Sequence, residues 1–561
     1  MPPSSAKFAV LFAKQRYVTC CLGNFRDRKR TKFGCSRRTS SLMLASRSVH
    51  NGVEVVKTKK VAAMANGVSS NGYSETEDEN ANDFIRDVVD LILKSEVLPG
   101  EAEKQKVVNF KHPKELEALR DLSLNQKNGL PHEELLSLCK FVIHHSIKTA
   151  SPYFRNQLYG GADPYGIAGA VLTEALNTNQ HTYEVAPPYI LIERALMAKV
   201  AGVIGWNNFD GITAPGGSTA NMYGIVAARY KKFPQTKTQG LFGLPKLTIF
   251  TSEDSHYSVL KAAHWLGFGT ENVIKVKTDL WGTMIPEELE KEIVKSQERG
   301  EKPLMVSATS GTTVLGAFDP LDKLADICQT HDMWLHVDGA WGGAAILSEK
   351  LRHLTRGIDR VDSFCWNPHK MVGAPLQTSI LLVRDKTLLH HCNSAAATYL
   401  FQRDKFYDVS YDTGDKSVQC GRKVDAFKFW LMWKAHGDEG LQKSLEHTYE
   451  MAQLCYRLMD DHPGFRMVLP SAQYCNICFW YIPPSLRGQE ETEDWWKKVS
   501  KVAPEIKKQM TLAGTLMIGY QPLKNKNLEN FFRLILTCVP RIEPRHLEFM
   551  INEIDRIGKT L

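Results

Sequence analysis

The chain has 561 residues, 43% hydrophobic and 24% charged, enough to bury a large core across more than one domain. No apolar run reaches the roughly 18 residues of a membrane span, so no spanning helix is expected. The net charge of +8 belongs to one end: residues 1–53 hold 11 Lys and Arg against Asp27 alone, and the 59 basic and 61 acidic residues that follow balance to −2, which gives no reason to expect a nucleic-acid partner.

Residues 1–82 read as a basic leader rich in Ser, Lys and Arg, either a transit-type targeting segment or a disordered extension. Cys20 and Cys21, set among basic residues, are candidate palmitate acceptors. The stretch from Met64, MANGVSSNGYSETEDEN, has a disordered composition. The expected location is the cytoplasm, with mitochondria as the alternative. Order is expected from Asp83. In DFIRDVVDLILKS, Phe84, Val88, Leu91 and Ile92 share one helical face and open a helical segment over 83–150. From 151 to 440, strand-like runs alternate with helical ones: KLTIFTS then SHYSVLKAAHWLG, PLMVSATSGTT then DPLDKLADICQTH, followed by MWLHVDGAWGG and DSFCWNPHK. The alternation predicts an α/β fold with a mainly parallel sheet whose ligands lie at the carboxyl ends of the strands. Residues 441–561 are left for a smaller C-terminal domain. The 12 cysteines show no disulfide-scaffold spacing, as in a reduced, intracellular protein. Cys475 and Cys478 form a C-x-x-C inside the apolar run CNICFW, which favours core cysteines over zinc ligands, so no metal site is expected.

Polar residues gather where the strands end. Ala214-Pro-Gly-Gly-Ser-Thr-Ala-Asn221 precedes the helical MYGIVAARYKK; Gly216 and Gly217 allow a close backbone approach, and Ser218 is a candidate helix cap beside a phosphate-sized anion site. Taken alone, it is equally an ordinary tight turn. Asp338, in WLHVDGAW, follows an apolar strand and is costly to bury without a cation; it could cap a helix or keep a heterocyclic nitrogen protonated. Lys370, in NPHK, is either a surface lysine or a desolvated amine able to form an imine with a carbonyl. His256, in SEDSH, could stack on a planar ring or be a core histidine. Together they are the parts of a pyridoxal 5′-phosphate (PLP) site: a phosphate cradle, a lysine for the aldehyde, an acid for the pyridinium nitrogen and a flat group against the ring.

HVDGAWGG, NPHK, SHYS and SATSGTTVLGAFDP resemble the group II PLP-dependent decarboxylases. NQLYGGADPYGIAG, LNTNQHTYEVAP, YLFQRDKFYDVSYDTGDKSVQCGR, FWYIPPSLRG, MIGYQP and NFFR extend the likeness from about residue 85 to the C-terminus. The branch resembled contains glutamate decarboxylase, cysteine sulfinate decarboxylase and acidic amino acid decarboxylase-like proteins. The resemblance implies a type I PLP-dependent transferase fold, aspartate aminotransferase-like, with a smaller C-terminal α+β domain, in a homodimer with active sites at the subunit interface. It implies that Lys370 carries the cofactor, Asp338 pairs with its ring nitrogen, Ala340 packs on one ring face and His256 on the other. Gly217, Ser218, Asn367 and His369 would surround the phosphate. Tyr407 matches a mobile-loop tyrosine that protonates the substrate carbon after carbon dioxide leaves; Gln157 and Arg533 match substrate contacts.

Two positions depart from the family pattern. Gly339 replaces a usual alanine, and Thr378 a usual cysteine. For the substrate, Tyr159 stands where glutamate decarboxylases carry serine; its bulk implies a short pocket that favours cysteine sulfinate or aspartate over glutamate, a discrimination of roughly 1–3 kcal/mol per methylene. Gly519 in MIGYQP also looks like the cysteine sulfinate group, whereas GAPLQ at 373–377 looks more like glutamate decarboxylase. The other readings are an aminotransferase and a catalytically inactive homologue.

Overall fold

The structure, a computed structural model, describes residues 75–561. The expectations for the leader, including Cys20, Cys21 and residues 64–74, lie outside the described residues. Helix begins at Glu75 rather than near Asp83 and runs to Lys94. Acidic residues at a helix start are favoured by the helix dipole, a signal hidden by the polar composition of that stretch. Phe84, Val88, Leu91 and Ile92 are its half-buried face, while Ile85 and Leu93 are exposed.

A two-residue strand, β1 (Phe154–Arg155), comes first. Seven strands follow: β2 (Asp210–Ala214), β3 (Leu247–Ser252), β4 (Val273–Val276), β5 (Lys302–Thr309), β6 (Trp334–Gly339), β7 (Ser363–Trp366) and β8 (Ser379–Val383). They form one sheet in the order β2-β8-β7-β6-β5-β3-β4. Only β8 runs against its neighbours. The strands β3, β6, β7 and β8 are buried at every position, as in parallel sheets covered on both faces. Register sets Thr309 of β5, Asp338 of β6 and Cys365 of β7 side by side. Three carboxyl-terminal strand ends therefore open onto one place.

The last four strands, β9 (Phe465–Met467), β10 (Asn476–Tyr481), β11 (Met517–Leu523) and β12 (Leu528–Ile535), form a second sheet in the order β1-β11-β12-β10-β9. It is antiparallel except where β1 joins β11. Residues 154–155 thus belong to the sheet of the C-terminal residues. The expected limit at 440 falls inside the helix Asp425–Asp460, whose backbone breaks at Gly437 with φ 66°. One hydrophobic cluster carries Val337, Phe364 and Trp366 of the large sheet together with Phe479, Phe532 and Leu534 of the small one. Cys475 and Cys478 are buried, and Cys478 Sγ donates to the Val314 carbonyl at 3.4 Å.

Candidate active site

The ends of β5, β6 and β7 frame a cavity of about 200 Å³. One wall is the start of the helix Gly217–Lys232. Its N-cap is Gly216, at φ 97°, a left-handed backbone that glycine takes without strain. No side chain caps this helix. The expected cap, Ser218, lies one residue inside it, because the turn at Gly216 starts the helix earlier. The first-turn N–H groups are therefore left for a ligand. A Cβ on Gly217 would lie 2.7 Å from Asn367 Nδ2, so glycine is what lets that amide lie against the helix start.

Asp338 is at the cavity floor. Its Oδ2 accepts from Asn221 Nδ2 at 2.7 Å and its Oδ1 from the Ala340 N–H at 3.0 Å. His256 Nδ1 accepts from the Ser258 N–H at 3.2 Å, and burial holds its pKa below the usual histidine value. His369 Nδ1 lies against the backbone of Thr378; burial pushes its pKa down to about 4, so the ring is neutral. Thr378 in turn donates to the Pro375 carbonyl at 2.9 Å, so this departure from the family pattern closes a local turn. At the other departure, a Cβ on residue 339 would meet the Phe364 ring at 2.5 Å, which explains glycine there.

Lys370 Nζ has no hydrogen bond or ion pair among the described residues. Burial lowers its pKa, Asp338 opposes that shift, and Arg533 adds to it. Arg533 is only 9% exposed. It donates through Nη1 to the Thr313 carbonyl at 2.8 Å, while its buried Nε has no partner. Burial lowers its pKa as well. No carboxylate pairs with it among the described residues, so the salt bridge that would make it merely structural is absent there.

Of the residues expected here, Gly217, Ser218, His256, Asp338, Ala340, Asn367, His369 and Lys370 line the cavity. Gly216 directly precedes them, and Arg533 reaches the edge through Thr313, itself a lining residue. Three stand elsewhere. Gln157 is exposed. Tyr159 packs on Phe154, ring centroids 5.9 Å apart. Tyr407 donates to Asp412 Oδ1 at 2.9 Å, outside the cavity. Sequence reasoning missed Asn221, Thr309, Gly311, Thr313 and Trp341. Asn221 had a readable signal: it follows Gly217 by four residues, on the same helix face.

The residues fit PLP. An uncapped helix start beside a primary amide suits a phosphate, an oriented buried carboxylate suits a pyridinium nitrogen, and a lysine with lowered pKa and no partner suits an aldehyde. Fold and cavity thus define a PLP-dependent α/β enzyme. The crystal structure of mouse CSAD superposes with a TM-score of 0.82 at 46% identity, covering 86% of this chain and all of that one. Rice (Oryza sativa) TDC with PLP and tryptamine shares the fold, with a TM-score of 0.78 at 22% identity over 87% of this chain and 99% of that one.

Residues 113–482 match the pyridoxal-dependent decarboxylase conserved domain. Human acidic amino acid decarboxylase GADL1 is 48% identical over 91% of this chain and 96% of that protein. Mouse cysteine sulfinic acid decarboxylase is 47% identical over 85% and 96%. The chain belongs to the pyridoxal-dependent decarboxylase family.

Proposed function

We propose that this chain removes the α-carboxyl group of a short acidic amino acid, cysteine sulfinate or aspartate, with glutamate as the alternative substrate. The observation that carries this reading is Arg533, a buried cation beside Lys370 with no carboxylate partner among the described residues. A buried charge left in this way is costly unless a ligand anion completes it, and a guanidinium grips a carboxylate or sulfinate in two places. The relatives named for cysteine sulfinic acid and for acidic amino acids support the same substrate class. Tyr159 stands away from the cavity of its own chain, so it supports the short end of that class only through the cavity of a second copy.

PLP, when bound, supplies an aldehyde for the substrate amine and an electron-accepting ring. Lys370 would hold the aldehyde carbon; its lowered pKa leaves more of the amine unprotonated and nucleophilic near neutral pH. Asp338, fixed by two N–H donors, would keep positive charge on the ring nitrogen. His256 offers a flat face, and Ala340 is small enough to sit against the other. The helix start, Asn367 and the neutral His369 would hold the phosphate. As carbon dioxide departs, the bonding pair stays with the amine-bearing fragment. Tyr407 Oη then supplies the proton to the α-carbon as general acid.

The position of Tyr407 supports a homodimer. Within its own chain it is bonded to Asp412 away from the cavity, next to Phe406, which is 94% exposed. A loop with that exposure can serve the cavity of a second copy. The test of the function is carbon dioxide release by the PLP-loaded protein from cysteine sulfinate, aspartate and glutamate. Release from the two short acids above that from glutamate is expected. Keto-acid formation without carbon dioxide would make the protein an aminotransferase and overturn the reading.

A further inference from the structure

We infer that His336 is a positioning residue, which sets the direction of the Asn221 amide and through it the donor that holds Asp338. This rests on the PLP reading above. His336 touches neither the cavity nor any proposed substrate group. It lies in β6, fully buried, two residues before Asp338. A polar ring there is costly, and an apolar side chain would fill the space more favourably.

The hydrogen bonds around it have one consistent assignment. The Trp334 indole can only donate, and it donates to Ser363 Oγ at 2.8 Å. Ser363 Oγ lies 2.8 Å from His336 Nδ1 and has no other side-chain partner among the described residues. Its hydroxyl hydrogen therefore goes to Nδ1, which leaves the ring hydrogen on Nε2. That hydrogen points at Asn221 Oδ1, 3.0 Å away. With its oxygen so fixed, Asn221 presents its NH₂ group forward, one hydrogen to Asp338 Oδ2 at 2.7 Å and the other to Ser258 Oγ at 3.0 Å. The opposite ring tautomer would need Asn221 reversed, with its oxygen against a carboxylate oxygen. Burial supports the neutral ring, lowering its pKa to about 4.

The backbone makes room for this arrangement. A Cβ on Gly224 would lie 2.7 Å from His336 Nδ1, so a glycine inside the helix Gly217–Lys232, where glycine ordinarily weakens the helix, seats the ring. Ser258, the second acceptor for Asn221, is also the residue whose N–H holds His256. The single amide thus ties the carboxylate below the cofactor site to the histidine at its side.

The test compares His336→Gln, whose amide can still donate to Asn221, with His336→Met, which cannot, in the full chain. PLP affinity is measured by titration of the PLP-free protein, alongside kcat and KM. Leaving a buried amide without its partner is expected to weaken PLP binding in the Met variant by about tenfold or more and to lower kcat more than it raises KM. The Gln variant should keep PLP affinity within about threefold of the parent. Equal loss in both variants, or none in the Met variant, would overturn the inference. A second measurement needs neither PLP nor turnover: the ¹⁵N signals of histidine-labelled protein, assigned to His336 by their loss in the Gln variant. They should show hydrogen on Nε2 at neutral pH; a charged ring or hydrogen on Nδ1 would overturn the inference. A parent protein that binds no PLP would overturn the functional reading and leave this measurement standing.

Discussion

The end of β6 and the loop over residues 394–417 are built on opposite terms. Around Asp338, the side-chain polar groups of Asn221, His336 and Ser363 are buried and bonded to one another. The loop exposes Tyr399 and Phe406, while Tyr407 donates to the buried Asp412, accepts from the Glu184 N–H at 3.3 Å and packs on Tyr183; Asp412 also takes Lys405 at 2.9 Å. Beyond the loop, the chain is pinned again by the fully buried ion pair of Arg422 with Glu193, 2.6 Å. A group that must keep its direction sits in a buried network; a group that must arrive travels on a segment whose tip is exposed between firm ends.

Lys370→Ala gives the largest break, because Lys370 is the one reactive group of the rigid region without a protein partner. Carbon dioxide release should fall by about 10³-fold or more, while the fold, measured by thermal unfolding, is retained. Full turnover would remove the rigid region from the chemistry. On the loop side, Tyr407→Phe should cut correct product formation by about 10²–10⁴-fold. Mixing that variant with Lys370→Ala sharpens the comparison: if the loop serves a second copy, mixed dimers recover activity that neither variant has alone. Mixtures as inactive as the separate variants would place Tyr407 with its own chain's lysine.

His369 extends the contrast to pH. Its folded pKa of about 4 lies below the ordinary histidine value of 6.5, so between those values the unfolded chain binds a proton that the folded chain refuses. Its contribution to stability is therefore present above pH 6.5 and lost as pH falls toward 4, by about 3 kcal/mol in total. Urea unfolding of His369→Gln should show a shallower acid limb than the parent; parallel curves would mean the ring charges freely in the fold. The smallest effect is on substrate length. Tyr159→Ser should raise the glutamate to cysteine sulfinate ratio of kcat/KM by about tenfold, within the roughly 1–3 kcal/mol worth of one methylene. An unchanged or lower ratio would detach Tyr159 from the pocket.

Much of the rigid region was legible in the sequence. Apolar runs ending in Asp338, in Asn367 to Lys370 and in His256 announce strands whose carboxyl ends hold polar groups, and the glycine pair at 216–217 announces a close approach. The helix face of Phe84, Val88, Leu91 and Ile92 was equally readable from its period. The onset of that helix at Glu75 was not, because acidic residues at a helix start look in composition like an unfolded stretch. Strand β1 was not legible either: Phe154–Arg155 is too short to show a period and exists because β11 offers an edge. Asn221, though on the Gly217 face, read as one more residue of an ordinary helix.

The sequence alone determined the inventory, an α/β chain with a lysine, a carboxylate, a histidine and a glycine turn suited to one cofactor. That information is local, carried by strand and helix period and by the conformational needs of glycine. Tertiary structure decided which of those groups meet and in what state. Register set Thr309, Asp338 and Cys365 level, burial lowered the pKa of Lys370 and His369, and the contact of Gly224 with His336 fixed a ring that in turn fixes Asn221. Those outcomes depend on contacts between residues far apart in the chain, such as Asn221 and Asp338, 117 positions apart, and on desolvation that no stretch of sequence carries by itself.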